Sequence, residues 1–145
     1  MQVIYEDNHL IIVNKDCGEL VQGDKTGDVP LSETVKQYIK EKYVKPGQVF
    51  LGVVHRLDRP VSGIVVFART SKALARLNAM FRDGNVRKNY HAIVCAPPPQ
   101  TADTLTHWLT RNERQNKAYA HEAEVSGSKK AVLDYRLLSS SDRYH

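Results

Sequence analysis

Two apolar runs, Phe50 to Val54 and Gly63 to Ala68, are separated by His55-Arg56-Leu57-Asp58-Arg59-Pro60. Charged side chains are almost never buried unless paired, so a core strand has no packing reason to carry this block. The flanks predict buried strands, which places the charged residues at the rim of a sheet. Pro60 forces a turn there, and Gly63 restarts the chain with freedom for close backbone approach. If the strand persists through the block, Arg56 and Asp58 share a side. A neighbouring guanidinium favours the ionised carboxylate, and an ionised carboxylate facing solvent can act as a nucleophile. From these residues alone, a structural Arg–Asp pair at a strand end is the plainer reading.

The rest of the chain supplies the sheet. Val3 to Tyr5 and Leu10 to Val13 predict a hairpin around Glu6-Asp7-Asn8-His9. Gln22 to Asp28 is loop by composition, and Pro30 stands where a helix can begin. Leu31, Val35, Tyr38, Ile39 and Tyr43 fall at helical spacing, and Lys45-Pro46-Gly47 ends that helix. Ser71 is the expected N-cap of a second helix, with Leu74, Leu77 and Phe81 on one face, Lys72, Arg76 and Arg82 on the other, and Gly84 closing it. Lys88 to Val94 predicts a strand, Pro97-Pro98-Pro99 a stiff connector, and Leu105 to Leu109, Ala118 to His121 and Ala131 to Leu138 three further strands. Strands outnumber helices and long βα alternation is missing. The expected class is therefore α+β, a mainly antiparallel or mixed β-sheet with flanking helices.

Composition narrows the function classes. With 145 residues, 41% of them hydrophobic and 26% charged, the chain is one globular domain's worth. No apolar run approaches the roughly 18 residues of a membrane helix. Met1 to Asp7 lacks the basic and apolar regions of a signal peptide. A cytoplasmic protein is expected, with Cys17 and Cys95 as reduced thiols. His9, His91, His107, His121 and His145 show no ligand spacing, so no metal is expected. The net charge of +5 is unevenly spread. Residues 1–44 carry five Lys/Arg against eight Asp/Glu, residues 45–90 nine against two, and residues 91–145 seven against six. The excess surrounds Asp58, as a polyanion-binding face would require, although a solvated basic helix face explains it equally well.

The segment His55 to Arg69 resembles the catalytic signature of the RluA-type pseudouridine synthases: His-Arg-Leu-Asp, three variable residues, Ser-Gly, then an apolar strand. Asn14-Lys15 with Gly18 resembles the family's opening segment, from which Asp16 departs, and Lys88 to Val94 resembles its second motif. The resemblance implies a pseudouridine synthase-like catalytic fold over residues 1–145, incomplete at its C-terminal end. The family's third, arginine-bearing motif would follow a strand like Ala131 to Leu138, and the chain stops there. It further implies that Asp58 is the nucleophile that breaks the N-glycosidic bond of a uridine in rRNA or tRNA, by attack on the base or on the sugar. The base then rotates and rejoins through carbon, without cofactor or metal.

By the same resemblance Tyr90 packs against the flipped uracil, and Arg56 lies at the RNA and helps fill the space the base leaves. Chemistry on a stacked base requires taking it out of the stack. His55 and Arg59 are further substrate-binding candidates, His55 more as a hydrogen-bonded structural residue than as a base. Lys15 and Ser62 are weaker candidates for direct contact. Two competing readings remain: an RNA-binding module, or an inactive fragment, of the same fold without catalysis, and a small-substrate hydrolase using Asp58 and His55. The second lacks Gly-x-Ser-x-Gly, metal ligands and a phosphate loop.

Overall fold

The computed structural model describes residues 1–145, which form two units, Met1–Lys88 and Asn89–His145. The first unit contains strands β1 (Gln2–Glu6), β2 (Leu10–Lys15), β3 (Gly52–Val53) and β4 (Gly63–Ala68), with helices α1 (Leu31–Lys42) and α2 (Ser71–Arg82). Its sheet runs β1-β2-β4-β3, and every neighbouring pair is antiparallel.

The expected hairpin joins β1 to β2. Its turn is set by Asp7, whose carboxylate accepts from the backbone N–H groups of His9 and Leu10, both at 2.7 Å. Those bonds hold the Asp7 carboxyl below the ordinary carboxylate range. Strand β2 alternates as a half-buried strand should: Ile11, Val13 and Lys15 point inward. Val65 and Phe67 of β4 and Leu31, Val35 and Ile39 of α1 complete the core with Val21. These α1 residues recur at i, i+4 and i+8, the spacing of one helical face.

Helix α1 has no side-chain cap at Pro30. Its first donors are instead taken by the loop, Leu31 N–H by Leu20 O at 2.7 Å and Ser32 N–H by Val21 O at 3.1 Å. Helix α2 is capped one residue earlier than expected, by Thr70, whose Oγ1 accepts from Ala73 N–H at 3.1 Å. Gly84, at φ +73°, follows its C-terminal end. The helix lies close on β3. A Cβ at Gly52 would sit 2.8 Å from a methyl of Leu74, so only glycine fits without repacking.

The second unit is a three-stranded antiparallel sheet of β5 (Ala102–Asn112), β6 (Lys117–His121) and β7 (Lys129–Arg136), in the order β6-β5-β7. These are the three late strands expected from the sequence. No helix in either unit is long and apolar enough to cross a membrane.

Two expectations need correction. The apolar run Phe50 to Val54 forms only the two-residue strand β3, and Phe50 is exposed. Lys88 to Val94 forms no strand at all. A strand exists through its ladder, and the only backbone bonds of this kind here are the two that Val94 and His145 exchange, each 3.0 Å.

Candidate active site

Because β3 ends at Val53, the charged block leaves the sheet at once rather than continuing as a strand. The alternation that would set Arg56 and Asp58 on one side therefore does not apply. Both residues are exposed, while Leu57 between them turns inward and packs against the core cluster. Gly63, where β4 begins, has φ +138° and would bring a Cβ to 3.6 Å from Leu57 Cδ1. Glycine is required there by backbone conformation.

Asp58 closes a turn over Arg59 and Pro60, its carbonyl accepting from Val61 N–H at 3.0 Å. Its carboxylate makes no hydrogen bond and no ion pair, so the structural Arg–Asp pair does not form. Arg59 turns instead to Asp28, Nη1 to Oδ2 at 2.8 Å. The carboxylate thus stands on the rim with its lone pairs open to solvent.

His55 is committed to the fold. Its Nε2 accepts from Val66 N–H of β4 at 3.1 Å, taking over as ladder acceptor just where β3 departs. Its ring stacks on Phe81 of α2, centroids 5.0 Å apart and planes 19° from parallel. Burial pushes its pKa below the ordinary value, and the Lys88 ammonium adds to the effect. A neutral imidazole whose Nε2 is occupied cannot serve Asp58 as a base through that nitrogen, which removes the support for a hydrolytic Asp–His pair.

The backbone of the Asp58 turn is held by the segment after β2. Lys15, expected as a weak candidate for substrate contact, is instead fully buried, at 0% exposure. Its Nζ donates to Arg59 O and Asp16 O, each at 3.1 Å, and to Val61 O. Gly18 N–H donates to Arg59 O at 2.8 Å, and Cys17 Sγ approaches Pro60 O at 3.3 Å. Sequence reasoning missed this role, yet a signal was present. Lys15 follows Ile11 and Val13 at the period of a strand, in phase with the core. Nothing in the sequence pointed to the Phe81 stack or to Asp28.

Tyr90 belongs to the second unit, where it is 63% exposed in the irregular segment after Lys88. Its ring is therefore not a core side chain there, contrary to what a tyrosine in an apolar strand would normally be. Ser62 is exposed. Among the basic residues of the 45–90 segment, Lys72, Arg76 and Arg82 lie exposed along α2.

Residues 9–145 match the family model described as RNA pseudouridylate synthase. The ribosomal large subunit pseudouridine synthase C of Vibrio cholerae is 38% identical over 111 residues, which are 77% of this chain and 33% of that protein. The ribosomal large subunit pseudouridine synthase D of Zymomonas mobilis is 31% identical over 141 residues, 96% of this chain and 44% of that protein. The tRNA pseudouridine synthase C of Yersinia pestis is 34% identical over 97 residues, 65% of this chain and 35% of that protein. The chain thus spans less than half the length of these curated relatives. Among solved structures, the human RNA pseudouridylate synthase domain containing 4 superposes with a TM-score of 0.81 at 21% identity, covering 99% of this chain and 56% of that one. The fold is shared with that protein, and on the family match the chain belongs to the RNA pseudouridylate synthases.

Proposed function

We propose that these residues form the nucleophile-bearing part of a catalytic domain that isomerises specific uridines of rRNA or tRNA to pseudouridine, with Asp58 as the nucleophile. The supporting observation is an exposed carboxylate without hydrogen-bond or ion-pair partner, on a turn whose carbonyls are all engaged. Such a group keeps its lone pairs for a substrate carbon while its position is fixed. The reaction breaks the bond between N1 of the base and C1′ of the ribose and rejoins the two through a ring carbon, which gives up a proton while N1 gains one, so no atoms are gained or lost overall. No cofactor or metal is needed for that balance.

In this reading Arg56, exposed beside Asp58, meets the RNA and helps fill the gap left by the flipped base. Tyr90 offers its ring to the uracil, as aromatic side chains do for unstacked bases. His55 and Arg59 support the site from behind, His55 through Val66 and Phe81 and Arg59 through Asp28. The basic segment 45–90, with Lys72, Arg76 and Arg82 exposed along α2, binds phosphates. The protein works in the cytoplasm, where its RNA is found.

The test is pseudouridine formation by the full-length protein on rRNA and tRNA. Asp58→Asn should abolish product while RNA binding survives. Full activity in Asp58→Asn would rule out the nucleophile assignment, and salt-dependent RNA binding without product from the wild-type protein would make this an RNA-binding module instead.

A further inference from the structure

The sheet of the second unit carries different chemistry on its two faces. Its register sets Trp108 opposite His121 and Lys130, Thr110 opposite Tyr119, Asn112 opposite Lys117, and Ala102 opposite Arg136. Paired residues share a face and alternate residues return to it, so Trp108, Tyr119, His121, Lys117, Lys130 and Arg136 stand on one side. The opposite side collects Leu105, Leu109, Ala118, Ala120, Ala131 and Leu133. Its charges, Asp103, Arg111 and Lys129, lie near strand ends. That side has the content of a packing face. The Trp108 side does not.

On the Trp108 side the cations lie over rings instead of forming ion pairs. Lys117 Nζ is 5.3 Å from the centre of the Tyr119 ring, and Lys130 Nζ is 6.0 Å from that of Trp108. None of Lys117, Lys130 and Arg136 has a carboxylate partner. The one carboxylate within the strands of this face, Asp134, accepts from Thr104 Oγ1 at 2.6 Å. Tyr119 is fixed through its hydroxyl, which donates to Gln115 Oε1 at 2.7 Å, yet it stays 40% exposed. Trp108 and Tyr119 are diagonal neighbours on paired strands, a separation of about 7–8 Å, so neighbouring bases of a single strand can stack on successive rings.

We propose that this face is a second RNA contact, distinct from the contacts assigned to Arg56 and Tyr90: Trp108 and Tyr119 stack unpaired bases, and Lys117 and Lys130 meet the phosphates beside them. The inference rests on the reading that the protein acts on RNA. Ring and cation together select the occupant. A duplex hides its base faces inside its own stack and offers the lysines only phosphate, which leaves the rings without a role. A single strand offers both. Stacking tolerates any base, so the face favours RNA with an open stretch and reads no sequence in it.

Trp108 is the one tryptophan of these 145 residues, and its emission reports on the face directly. In the full-length protein the difference in emission between wild type and Trp108→Phe isolates that signal. The experiment titrates it with a short single-stranded RNA and with the duplex that strand forms with its complement. The single strand should quench Trp108 and the duplex should not. Trp108→Leu should bind the strand about 10-fold more weakly and Trp108→Leu with Tyr119→Leu about 100-fold, the effect of losing one and two stacked bases. Trp108→Phe, which keeps a ring, should stay within about threefold of wild type. Lys117→Gln with Lys130→Gln should lower the slope of log affinity against log salt by about 1.4, for two lost phosphate contacts to a single strand.

Equal quenching by strand and duplex overturns the proposal, as does a folded double leucine variant that binds the strand like wild type. Trp108 emission that acrylamide cannot reach means that protein covers the face, and overturns it too. A dimer lost in the leucine variants, with RNA affinity unchanged, assigns the face to a second copy instead. If the leucine variants do not fold, the comparison of strand and duplex on wild type decides. Normal pseudouridine formation beside Trp108 emission that ignores single-stranded RNA removes this inference alone. Strand-specific quenching without any pseudouridine product supports the face and removes the catalytic reading. A wild-type protein that binds no RNA removes both.

Discussion

The two units of this chain both build antiparallel ladders and bury their side chains very differently. In Met1–Lys88 the sheet is covered: Ile11, Val13, Val65 and Phe67 face Leu31, Val35 and Ile39 of α1, all essentially inaccessible. In Asn89–His145, β5 pairs with β7 over eight residues, yet no side chain of the unit is buried. Val132 and Leu133 are neighbours on β7 and so point to opposite faces, but they are 59% and 60% exposed. Both faces of that sheet carry exposed apolar side chains and neither buries one fully. Hydrogen bonds alone contribute little net stability per bond, and small sheets depend on an apolar face being covered. The comparison separates forming a ladder from stabilising one. It also places the proposed nucleophile on the unit that has a core, while Tyr90 stands in the unit without one.

The contrast can be broken most directly by truncation in each unit. Phe67→Ala should destabilise by about 3–5 kcal/mol, the usual cost of emptying a buried aromatic site. Leu133→Ala should stay within about 0.5 kcal/mol, as surface substitutions do. Urea unfolding of both variants measures this, and equal losses would mean that the second sheet is covered after all. A smaller effect is expected from Gly52→Ala, where the new Cβ meets Leu74 inside 3 Å. Overpacking of this kind costs about 1–3 kcal/mol, and the additional Leu74→Ala substitution should recover part of the fit. The smallest effect is on pH dependence. The folded state holds His55 below its ordinary pKa and so binds fewer protons than the unfolded chain. Its contribution is complete above about pH 6.5, the unperturbed histidine value, and is lost as the pH falls from there through the folded pKa. Acid titration of stability in wild type and His55→Phe should show this decline only in wild type.

What the sequence revealed does not follow that division, since the three strands of the second unit were expected as well. The β1–β2 hairpin, both helices of the first unit and the i, i+4, i+8 face of α1 were legible, because a covered sheet and an amphipathic helix write their burial into residue spacing. The helix boundary slipped from Ser71 to Thr70, since adjacent hydroxyl residues offer the same cap and only geometry selects one. Phe50 to Val54 and Lys88 to Val94 misled for one reason. An apolar run predicts a preference for pairing and says nothing about whether a neighbouring strand is there to pair with. The motif marks Asp58 as the candidate nucleophile, but that the neighbouring Arg59 would leave it unpaired was not foreseeable. Arg59 reaches Asp28, thirty-one positions away, and no local pattern encodes that choice.

The buried ammonium has a consequence for how the chain finds its fold. Lys15 and Gly63 are the last partners of the β2–β4 ladder. Sliding β2 by one residue would invert every side chain across the sheet, and either Asn14 or Asp16 would then occupy the place of Lys15. Neither can satisfy three converging carbonyl oxygens, and the aspartate would oppose them with like charge. A misaligned strand therefore loses at the one spot where its polar cost is greatest. The same residue that steadies the turn acts as an alignment check, joining positions 44 and 46 residues apart in the chain, so the turn at Asp58 is completed only once the strands behind it have paired correctly.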